Sequence, residues 1–212
     1  CDLIGIREIT DTPDAIYFGA SIDMNGQGED GVYNVPEYFA DSFNVSEDDN
    51  LFLPFTRVKL LEGNGKSIYN LGICRQNATK SAFVLNASNA TVHRNLDFHS
   101  CCVIGTHTQV ETNSTAEAAI LCASAGGSSY TLENVNTYDC GIFGVQKIGT
   151  LIANLSADES FVSDCNVTGS YIENYEVFID EMFSGSFTYQ DYTITASKSF
   201  YPHGEVGGLI GF

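Results

Sequence analysis

Apolar and polar residues alternate with a period of two in short runs along the chain. Clear examples are residues 92–98 and 187–194, which are rich in β-branched and aromatic side chains. Successive side chains of a strand point to opposite faces of a sheet, so this period predicts half-buried β-strands. No segment sustains a helical period, although residues 116–123 fit a helix and a buried strand equally well. The pattern predicts an all-β protein.

A short phrase recurs four times in the second half of the chain: a β-prone run, a break, and a hydrophobic–glycine step. The copies begin near Ala90, Tyr130, Ser160 and Asp191. Their spacing of roughly 30 to 40 residues is typical of supersecondary units that stack and bury a shared core. The phrase predicts a β-solenoid over residues 66–212. A β-sandwich with strand exchange between subunits is the alternative, because Asn and Gly turns serve either fold.

Residues 1–65 do not share the phrase. They contain three of the four prolines, at Pro13, Pro36 and Pro54, and the two densest acidic clusters. An open solenoid end must cover its core and its unpaired strand edge, so irregular terminal units are expected. We interpret residues 1–65 as an N-terminal cap or small β domain, with strands predicted near residues 4–9, 15–22 and 51–61.

The closing segment Val206-Gly207-Gly208-Leu209-Ile210-Gly211 resembles the strand signature of GLUG-motif repeats in secreted and surface proteins. Residues 132–144 and 162–169 resemble rungs of right-handed parallel β-helices in the pectate-lyase-like superfamily. The resemblance covers about residues 83–212. It implies a right-handed parallel β-helix with an irregular N-terminal cap.

Two asparagines fit such a fold. Asn95 and Asn134 follow β-prone runs at equivalent points of the phrase. Asparagine tolerates a left-handed backbone, and stacked asparagine side chains can hydrogen-bond along a solenoid. Both residues are therefore predicted to occupy left-handed or bridging positions and to form a ladder.

The charge balance narrows the function classes. The chain has 9 basic and 27 acidic residues, a formal charge of −18. Such a charge repels nucleic acid and anionic membrane surfaces. No stretch approaches the roughly 18 to 20 apolar residues of a membrane span. We expect neither a nucleic-acid partner nor a membrane span.

Asn-X-Ser/Thr sequons are more frequent than composition predicts. There are seven where roughly two or three are expected by chance. The predicted N-glycosylation sites are Asn44, Asn77, Asn86, Asn89, Asn113, Asn154 and Asn166. This number favours a secreted or cell-surface location.

The chain has seven cysteines, without the two-residue spacing of zinc or thioredoxin-type sites. In an oxidising compartment, cysteines of adjacent rungs can meet and form disulfides. The disulfide candidates are Cys74, Cys101, Cys102, Cys122, Cys140 and Cys165. Cys1 is left over. It is either the residue that a bacterial lipoprotein signal leaves after cleavage or a plain processing boundary.

One oxygen-rich loop is a candidate calcium site. It contains Asp23, Asn25, Glu29 and Asp30 and partly follows the start of an EF-hand loop, but Asn34 stands where the bidentate Glu is required. A simpler calcium loop remains one hypothesis and a solvated turn the other. No other cofactor is predicted.

No catalytic residue is predicted. The carboxylates of the repeat region are scattered, and the bases Arg94, Lys147 and Lys198 do not fall at matching positions. The four histidines, His93, His99, His107 and His203, are predicted to be surface or capping residues. The aromatic residues Phe83, Phe143, Phe161 and Phe187 are assigned to the core.

These observations predict a non-enzymatic, secreted, N-glycosylated structural protein of the cell surface or extracellular matrix. The apolar, β-prone segments 3–9 and 205–212 suggest self-association, with each adding a strand to the next copy in a head-to-tail filament. An adhesin or glycan-binding module is the alternative. A polysaccharide-acting β-helix enzyme is the third hypothesis.

Overall fold

The computed structural model describes residues 3, 6, 9–24, 52–76, 78–106, 116–144, 146–174, 185–189, 192–196 and 205–211. Most of these residues lie in β-strands, and the strands of the four larger sheets pair in parallel. The prediction of an all-β protein is confirmed.

Four sheets contain the parallel strands, and each of four successive chain segments contributes to every sheet. Sheet I contains β3 (Phe55–Arg57), β7 (Val84–Ser88), β11 (Cys122–Gly126) and β15 (Ile152–Leu155). Sheet II contains β1 (Ala15–Tyr17), β2 (Ile22–Asp23), β4 (Leu60–Tyr69), β8 (Thr91–His99), β12 (Ser129–Tyr138), β16 (Glu159–Ser163) and β17 (Asn166–Thr168). Sheet III contains β5 (Gly72–Gln76), β9 (Cys102–Thr106), β13 (Gly141–Gly144) and β18 (Tyr171–Asn174). Sheet IV contains β6 (Lys80–Ser81), β10 (Glu117–Ala118), β14 (Lys147–Gly149) and β21 (Glu205–Gly207).

The chain passes through sheets I, II, III and IV in this order four times. We call the strands β3–β6 repeat 1, β7–β10 repeat 2, β11–β14 repeat 3, and β15–β18 with β21 repeat 4. In sheet III, Gly72 pairs with Cys102, and Cys102 pairs with Gly141. Both offsets fall within the predicted spacing of roughly 30 to 40 residues, which is confirmed for these repeats.

Two long connections join sheet III to sheet IV, and a third, from Asp23 to Phe55, joins sheet II to sheet I. The first runs from Thr106 to Glu117, and the second runs from Asn174 to Glu205. The second contains an antiparallel hairpin of β19 (Gly185–Tyr189) and β20 (Tyr192–Ala196). The fourth copy of the sequence phrase therefore begins in a hairpin and not in sheet II. A local alternating pattern does not reveal its pairing partner, which is why the sequence misplaced this copy.

Left-handed residues mark the bends. In the middle of sheet II, φ is 57° at Asn95, 50° at Asn134 and 54° at Asp164. A second set lies between sheets II and III, at Asn70, Ser100, Asp139 and Gly169. Asn and Asp adopt this region more easily than other non-glycine residues. The left-handed positions predicted for Asn95 and Asn134 are confirmed.

The apolar core lies between the sheets. Its fully buried side chains include Val84 of sheet I, Leu96 of sheet II, Val103 of sheet III and Ile148 of sheet IV. Residues 116–123 contain β10 and the start of β11, so the strand alternative is the correct one in this segment.

The predicted aromatic core is confirmed in part. Phe83 is fully buried and Phe143 is 8% exposed, but Phe161 is 59% exposed. Phe161 pairs with Thr131 on the outer face of sheet II, and a period of two does not say which face is the core. The side chain of Phe187 lies outside the described residues.

The N-terminal segment packs against repeat 1. β1 and β2 pair with β4, and Ile16 and Phe18 join the main core. The predicted boundary at residue 65 falls inside β4. Ile6 and Ile9 have helical backbone, and the N–H of Thr10 donates to the carbonyl of Ile6 (2.9 Å), so the strand predicted for residues 4–9 is wrong at these positions. Periodicity alone does not separate a short buried helix from a strand.

Candidate functional site

The outer face of sheet II contains a ladder that links three repeats. Asn134 Nδ2 donates to Asn95 Oδ1 (3.0 Å), and Asn95 Nδ2 donates to Glu62 Oε1 (2.9 Å). Arg94 Nε donates to the other carboxylate oxygen of Glu62 (2.5 Å). Burial alone would raise the pKa of Glu62, but hydrogen bonds from Asn95, the Asn64 N–H and Arg94 outweigh it, and the pKa is lowered. The predicted asparagine ladder is confirmed and ends on a charged carboxylate.

A second polar ladder runs beside the first. Asn136 Nδ2 donates to Asp97 Oδ1 (2.7 Å), and Asn166 Nδ2 donates to Asn136 Oδ1 (3.0 Å). The three residues are in register on β8, β12 and β17. Carboxylate and amide groups thus recur at the strand spacing of about 4.8 Å.

An aromatic ladder borders these polar rows. The ring centroids of Tyr69 and His99 are 4.8 Å apart, and those of His99 and Tyr138 are 4.6 Å apart, with interplanar angles of 21° and 14°. Each ring covers the face of the next, so the ladder presents ring edges and two phenol groups outward. The surface position predicted for His99 is confirmed. Ring edges beside amide and carboxylate rows are groups that can contact sugar hydroxyls.

A column of alternating charge lies on sheet IV. Lys80 pairs with Glu117, Glu117 with Lys147, and Lys147 with Glu205 along the parallel strands. Lys80 Nζ lies 3.6 Å from Glu117 Oε2, and the Glu117 side chain is 4% exposed. An ion pair this well buried is disrupted at high cost when one partner is removed.

Two sequon asparagines hold this ion pair in place. Asn154 Nδ2 donates to Glu117 Oε1 (2.8 Å), and Lys80 Nζ donates to Asn86 Oδ1 (2.5 Å). Asn86 and Asn154 occupy the same position in sheet I, each in register with Ser124. The adjoining faces of sheets I and IV therefore form one polar cluster.

The sequence did not predict this cluster. The interval from Lys80 to Glu117 is longer than the interval from Glu117 to Lys147. These two intervals differ because the connection between β9 and β10 is longer than the connection between β13 and β14 in repeat 3. A search for one fixed sequence spacing therefore misses the column. The first residues of β6, β10 and β14 alternate between Lys and Glu, and this alternation could have revealed the column. Recognising it requires knowing where each strand begins, which the sequence does not show.

His93 is fully buried, so its predicted surface position is wrong. Its Nδ1 lies 3.0 Å from Tyr130 Oη, and its Nε2 lies 3.1 Å from the carbonyl oxygen of Val58. Burial lowers the pKa of His93 to about 4, against the opposing effect of the Val58 hydrogen bond. A neutral imidazole is therefore part of the core. His107 and His203 lie outside the described residues.

Five cysteines have described side chains, and no disulfide joins any two of them: Cys101, Cys102, Cys122, Cys140 and Cys165. Three thiols lie close to carbonyl oxygens of the preceding repeat: Cys101 to Ile68 (3.6 Å), Cys140 to Phe98 (3.5 Å) and Cys165 to Leu132 (4.0 Å). Burial raises the pKa of Cys101 and raises that of Cys122 to about 12, so both remain protonated at neutral pH. The thiols serve as weak internal donors.

Cys101 and Cys140 come together in adjacent repeats. Cys102 pairs with Gly141, and the N–H of Gly141 donates to the carbonyl of Cys101 (2.8 Å), so the two preceding residues are also neighbours. By register, Cys122 faces Val84 and Ile152, and Cys74 faces Ile104. The predicted meeting of cysteines from adjacent rungs is found at this pair. The disulfides themselves stay a prediction.

The sequons differ in environment. Asn89 and Asn166 are exposed, whereas Asn86 and Asn154 are partly buried in strands. The sites at Asn44, Asn77 and Asn113 lie outside the described residues.

The calcium candidate is described only at Asp23. This residue is exposed, and its Oδ1 accepts a hydrogen bond from Asn70 Nδ2 (2.8 Å). Asn25, Glu29 and Asp30 lie outside the described residues. The part of the chain that the structure describes contains no group of three His, Cys, Asp or Glu side chains arranged for a metal ion. The calcium site stays a prediction.

Comparison with known proteins gives no relative: no family model, no curated protein and no solved structure matches the chain. Within the described residues, none of the helical structure has the length and hydrophobicity of a membrane span.

Proposed function

We propose that this chain is a right-handed parallel β-helix, a solenoid in which each repeat is one rung. The fixed order of sheets I to IV in successive repeats, together with parallel pairing between equivalent strands, supports this architecture. A sandwich is built from antiparallel strands joined by hairpins, so parallel register between equivalent strands of successive repeats favours the helix. Four repeats at a strand spacing of about 4.8 Å give the monomer an axial length of only about 20 Å, so its outline does not test the helix. Cysteines introduced at Val92 and Thr131, which face each other on parallel strands of successive repeats, should form a disulfide, and failure to cross-link would exclude this register.

The function is that of a rigid, secreted, N-glycosylated structural element of the cell surface or extracellular matrix, without catalytic activity. The observation that carries this proposal is the set of side-chain ladders across repeats, in which Glu62, Asn95 and Asn134 form one hydrogen-bonded chain. Such ladders join the side chains of successive repeats by hydrogen bonds, in addition to the backbone bonds between strands. These extra bonds make a structural element more resistant to mechanical force. They also help to keep neighbouring repeats in register.

The test is fractionation of native material, followed by intact mass before and after enzymatic deglycosylation. The expected result is enrichment in the extracellular fraction and a mass decrease on deglycosylation. Recovery from the cytoplasm without attached sugar would contradict the proposal. Incubation with a panel of polysaccharides should release no unsaturated or reducing ends, and turnover would favour the β-helix enzyme instead.

Glycan binding on sheet II is the second candidate function. The observation that favours it is the aromatic ladder of Tyr69, His99 and Tyr138 beside the amide and carboxylate row that contains Asn136. A polysaccharide lying along the ladders would find repeated hydrogen-bonding groups about 4.8 Å apart. On a glycan array, the wild type and Phe161→Ala should bind the same glycan, and Tyr138→Ala should not. Equal retention of both variants would exclude this face.

A further inference from the structure

Among the described residues, the apolar core is less covered at the repeat 4 end than in repeat 3. Three inward residues of repeat 3, Leu132, Ile142 and Ile148, are fully buried. Their partners in repeat 4 are Val162 and Ile172, which are partly buried, and Val206, which is 52% exposed. In sheet I the repeat 4 residue Ile152 is fully buried and pairs with Ile210, which is only partly buried. We call the repeat 4 end the tail and the opposite end, formed by residues 9–24 and repeat 1, the head.

Exposed apolar side chains concentrate at these two ends. Among the described residues, seven large hydrophobic side chains are exposed, and six of them lie at an end. Those at the head are Ile9 (85%), Tyr17 (64%) and Leu53 (52%), and those at the tail are Phe161 (59%), Tyr171 (47%) and Val206 (52%). A concentration of this kind marks an interaction surface.

The strand edges at the two ends are compatible in direction. In the described residues β3, β5 and β6 are the last strands of sheets I, III and IV at the head, and β18 and β21 are last at the tail. All are parallel, so a second copy stacked head to tail continues each sheet without reversing strand direction. In sheet II, β1 and β2 extend past β4 and provide the head edge.

The charge column on sheet IV gives the ends opposite signs. It begins with Lys80 at the head and alternates through Glu117 and Lys147 to Glu205 at the tail. Stacking the tail of one copy on the head of another places the Glu205 position next to Lys80 and continues the alternation. Head-to-head contact would place Lys80 against Lys80, and tail-to-tail contact would place Glu205 against Glu205.

The charges of the outer repeats agree with this direction. The tail, residues 152–174 and 205–211, contains five acids and no Lys or Arg, whereas the head, residues 9–24 and 55–81, contains five Lys or Arg and four acids. Opposite charges across an interface guide orientation, and like charges suppress the wrong pairing. The column therefore selects between the possible end contacts.

Side-chain size also matches. The outer column of sheet II runs from Ala15 through Leu60, Val92 and Thr131 to Phe161. In a head-to-tail stack the small Ala15 of one copy would adjoin the exposed Phe161 of the next. A cavity of about 270 Å³ opens near the same end, lined by residues that include Ile16, Tyr17 and Phe18.

We propose that the partner of the tail is the head of a second copy of this chain. The inference rests on the proposed β-helix and specifies how it assembles: the contact is heterologous and does not close, so it produces filaments one solenoid wide. It also revises the strand-exchange mechanism, because Glu205–Gly207 already pairs with β14 and Ile6 and Ile9 are helical. The ends stack as intact repeats and exchange no strand.

The test is a concentration series by analytical ultracentrifugation and small-angle scattering on the full chain. Wild type should lengthen with concentration at a constant cross-sectional radius. Val206→Asp places a charge in the apolar contact, and Glu205→Lys reverses the last charge of the column. Each should raise the concentration needed for assembly by about tenfold or more.

Glu133→Lys is the matched control, because it makes the same charge change on the outer face of repeat 3, away from both ends. It should assemble as wild type does. Glu205→Lys and Glu133→Lys each place a Lys beside a cation of the neighbouring repeat, Lys147 and Arg94, so these two monomers should unfold at similar temperatures. The Val206→Asp monomer should unfold at the wild-type temperature, which separates lost contact from lost folding.

Three outcomes would overturn the inference. Wild-type protein that stays monomeric at every concentration would refute stacking and leave the proposed β-helix standing. Growth of the cross-section with concentration would indicate lateral association. A Val206→Asp monomer that unfolds at lower temperature would show that the chain covers its own tail. Failure of the cross-link between cysteines at Val92 and Thr131 would instead refute the β-helix itself.

Discussion

Asn134 Nδ2 donates to Asn95 Oδ1 across 3.0 Å, and both residues hold a left-handed backbone, with φ of 50° and 57°. The asparagine side chain thus has two structural roles at each position. It tolerates the bend in the middle of sheet II, and it bonds to the equivalent residue of the neighbouring repeat. Glycine adopts the left-handed backbone but cannot form the side-chain hydrogen bond, and glutamine adopts the left-handed backbone poorly.

This double role predicts an order of stability among variants. Asn134→Ala loses the hydrogen bond and replaces asparagine with a residue that adopts the left-handed region less readily, for a cost of about 2 kcal/mol in the free energy of unfolding. Asn134→Gly loses only the bond and should cost about half as much. Urea denaturation measures both. Equal losses in the two variants would mean that the backbone conformation contributes nothing.

The buried His93 predicts a loss of stability in acid. Its pKa is about 4 when folded and about 6.5 when unfolded, so the unfolded state binds the proton first as the pH falls. The free energy of unfolding should therefore fall by about 1.4 kcal/mol per pH unit between 6.5 and 4, and level off below that range. Above pH 6.5 the imidazole is neutral in both states and contributes no slope.

The measurement is urea denaturation at pH 7 and pH 5 for wild type and His93→Gln. Carboxylates change stability in both proteins, so the difference between the two isolates the imidazole. The wild type should lose about 2 kcal/mol more than the variant. His99→Gln removes a histidine from the outer face of sheet II and should keep the wild-type loss. If His93→Gln also keeps that loss, His93 is not the titrating group.

The sequons are predicted to be occupied unequally. Asn89 and Asn166 are exposed, so glycans there extend into solvent, and the N–H that glycosylation leaves on Asn166 Nδ2 can still donate to Asn136. Asn154 donates to the buried Glu117, and Asn86 accepts from Lys80, so a glycan at either would disturb the ion pair on sheet IV. Glycopeptide mass spectrometry after expression in a glycosylating secretory host should find sugar at Asn89 and Asn166 and little at the other two. Full occupancy of Asn154 would contradict this.

Register limits the disulfides. A bridge requires Cα atoms within about 7 Å, and neighbouring parallel strands provide about 4.8 Å only to residues that face each other. Cys101 and Cys140 meet this condition, while Cys122 faces Val84 and Ile152. Peptide mapping of oxidised protein without reductant should find Cys101–Cys140 and no bridge at Cys122. A Cys122 bridge would show that the register of sheet I is wrong.

The sequence determined the strands and their repetition, because both are local. A period of two, β-branched residues and a recurring phrase predict an all-β chain with units of roughly 30 to 40 residues. Asn95 and Asn134 reveal the bends by their own conformational preference. Residues 116–123 mark the limit of such reasoning. Their composition fits helix and strand alike, and only contact with neighbouring repeats selects the strand.

Only the tertiary structure decided which residues meet. Lys80, Glu117 and Lys147 are separated by unequal intervals, so no fixed sequence period reveals their column on sheet IV. His93 and Phe161 both lie in alternating strands, yet one is buried and the other exposed, because the face of a strand depends on where its sheet stands relative to the core. Long-range register sets these contacts, and register is a property of the paired strands rather than of either segment alone.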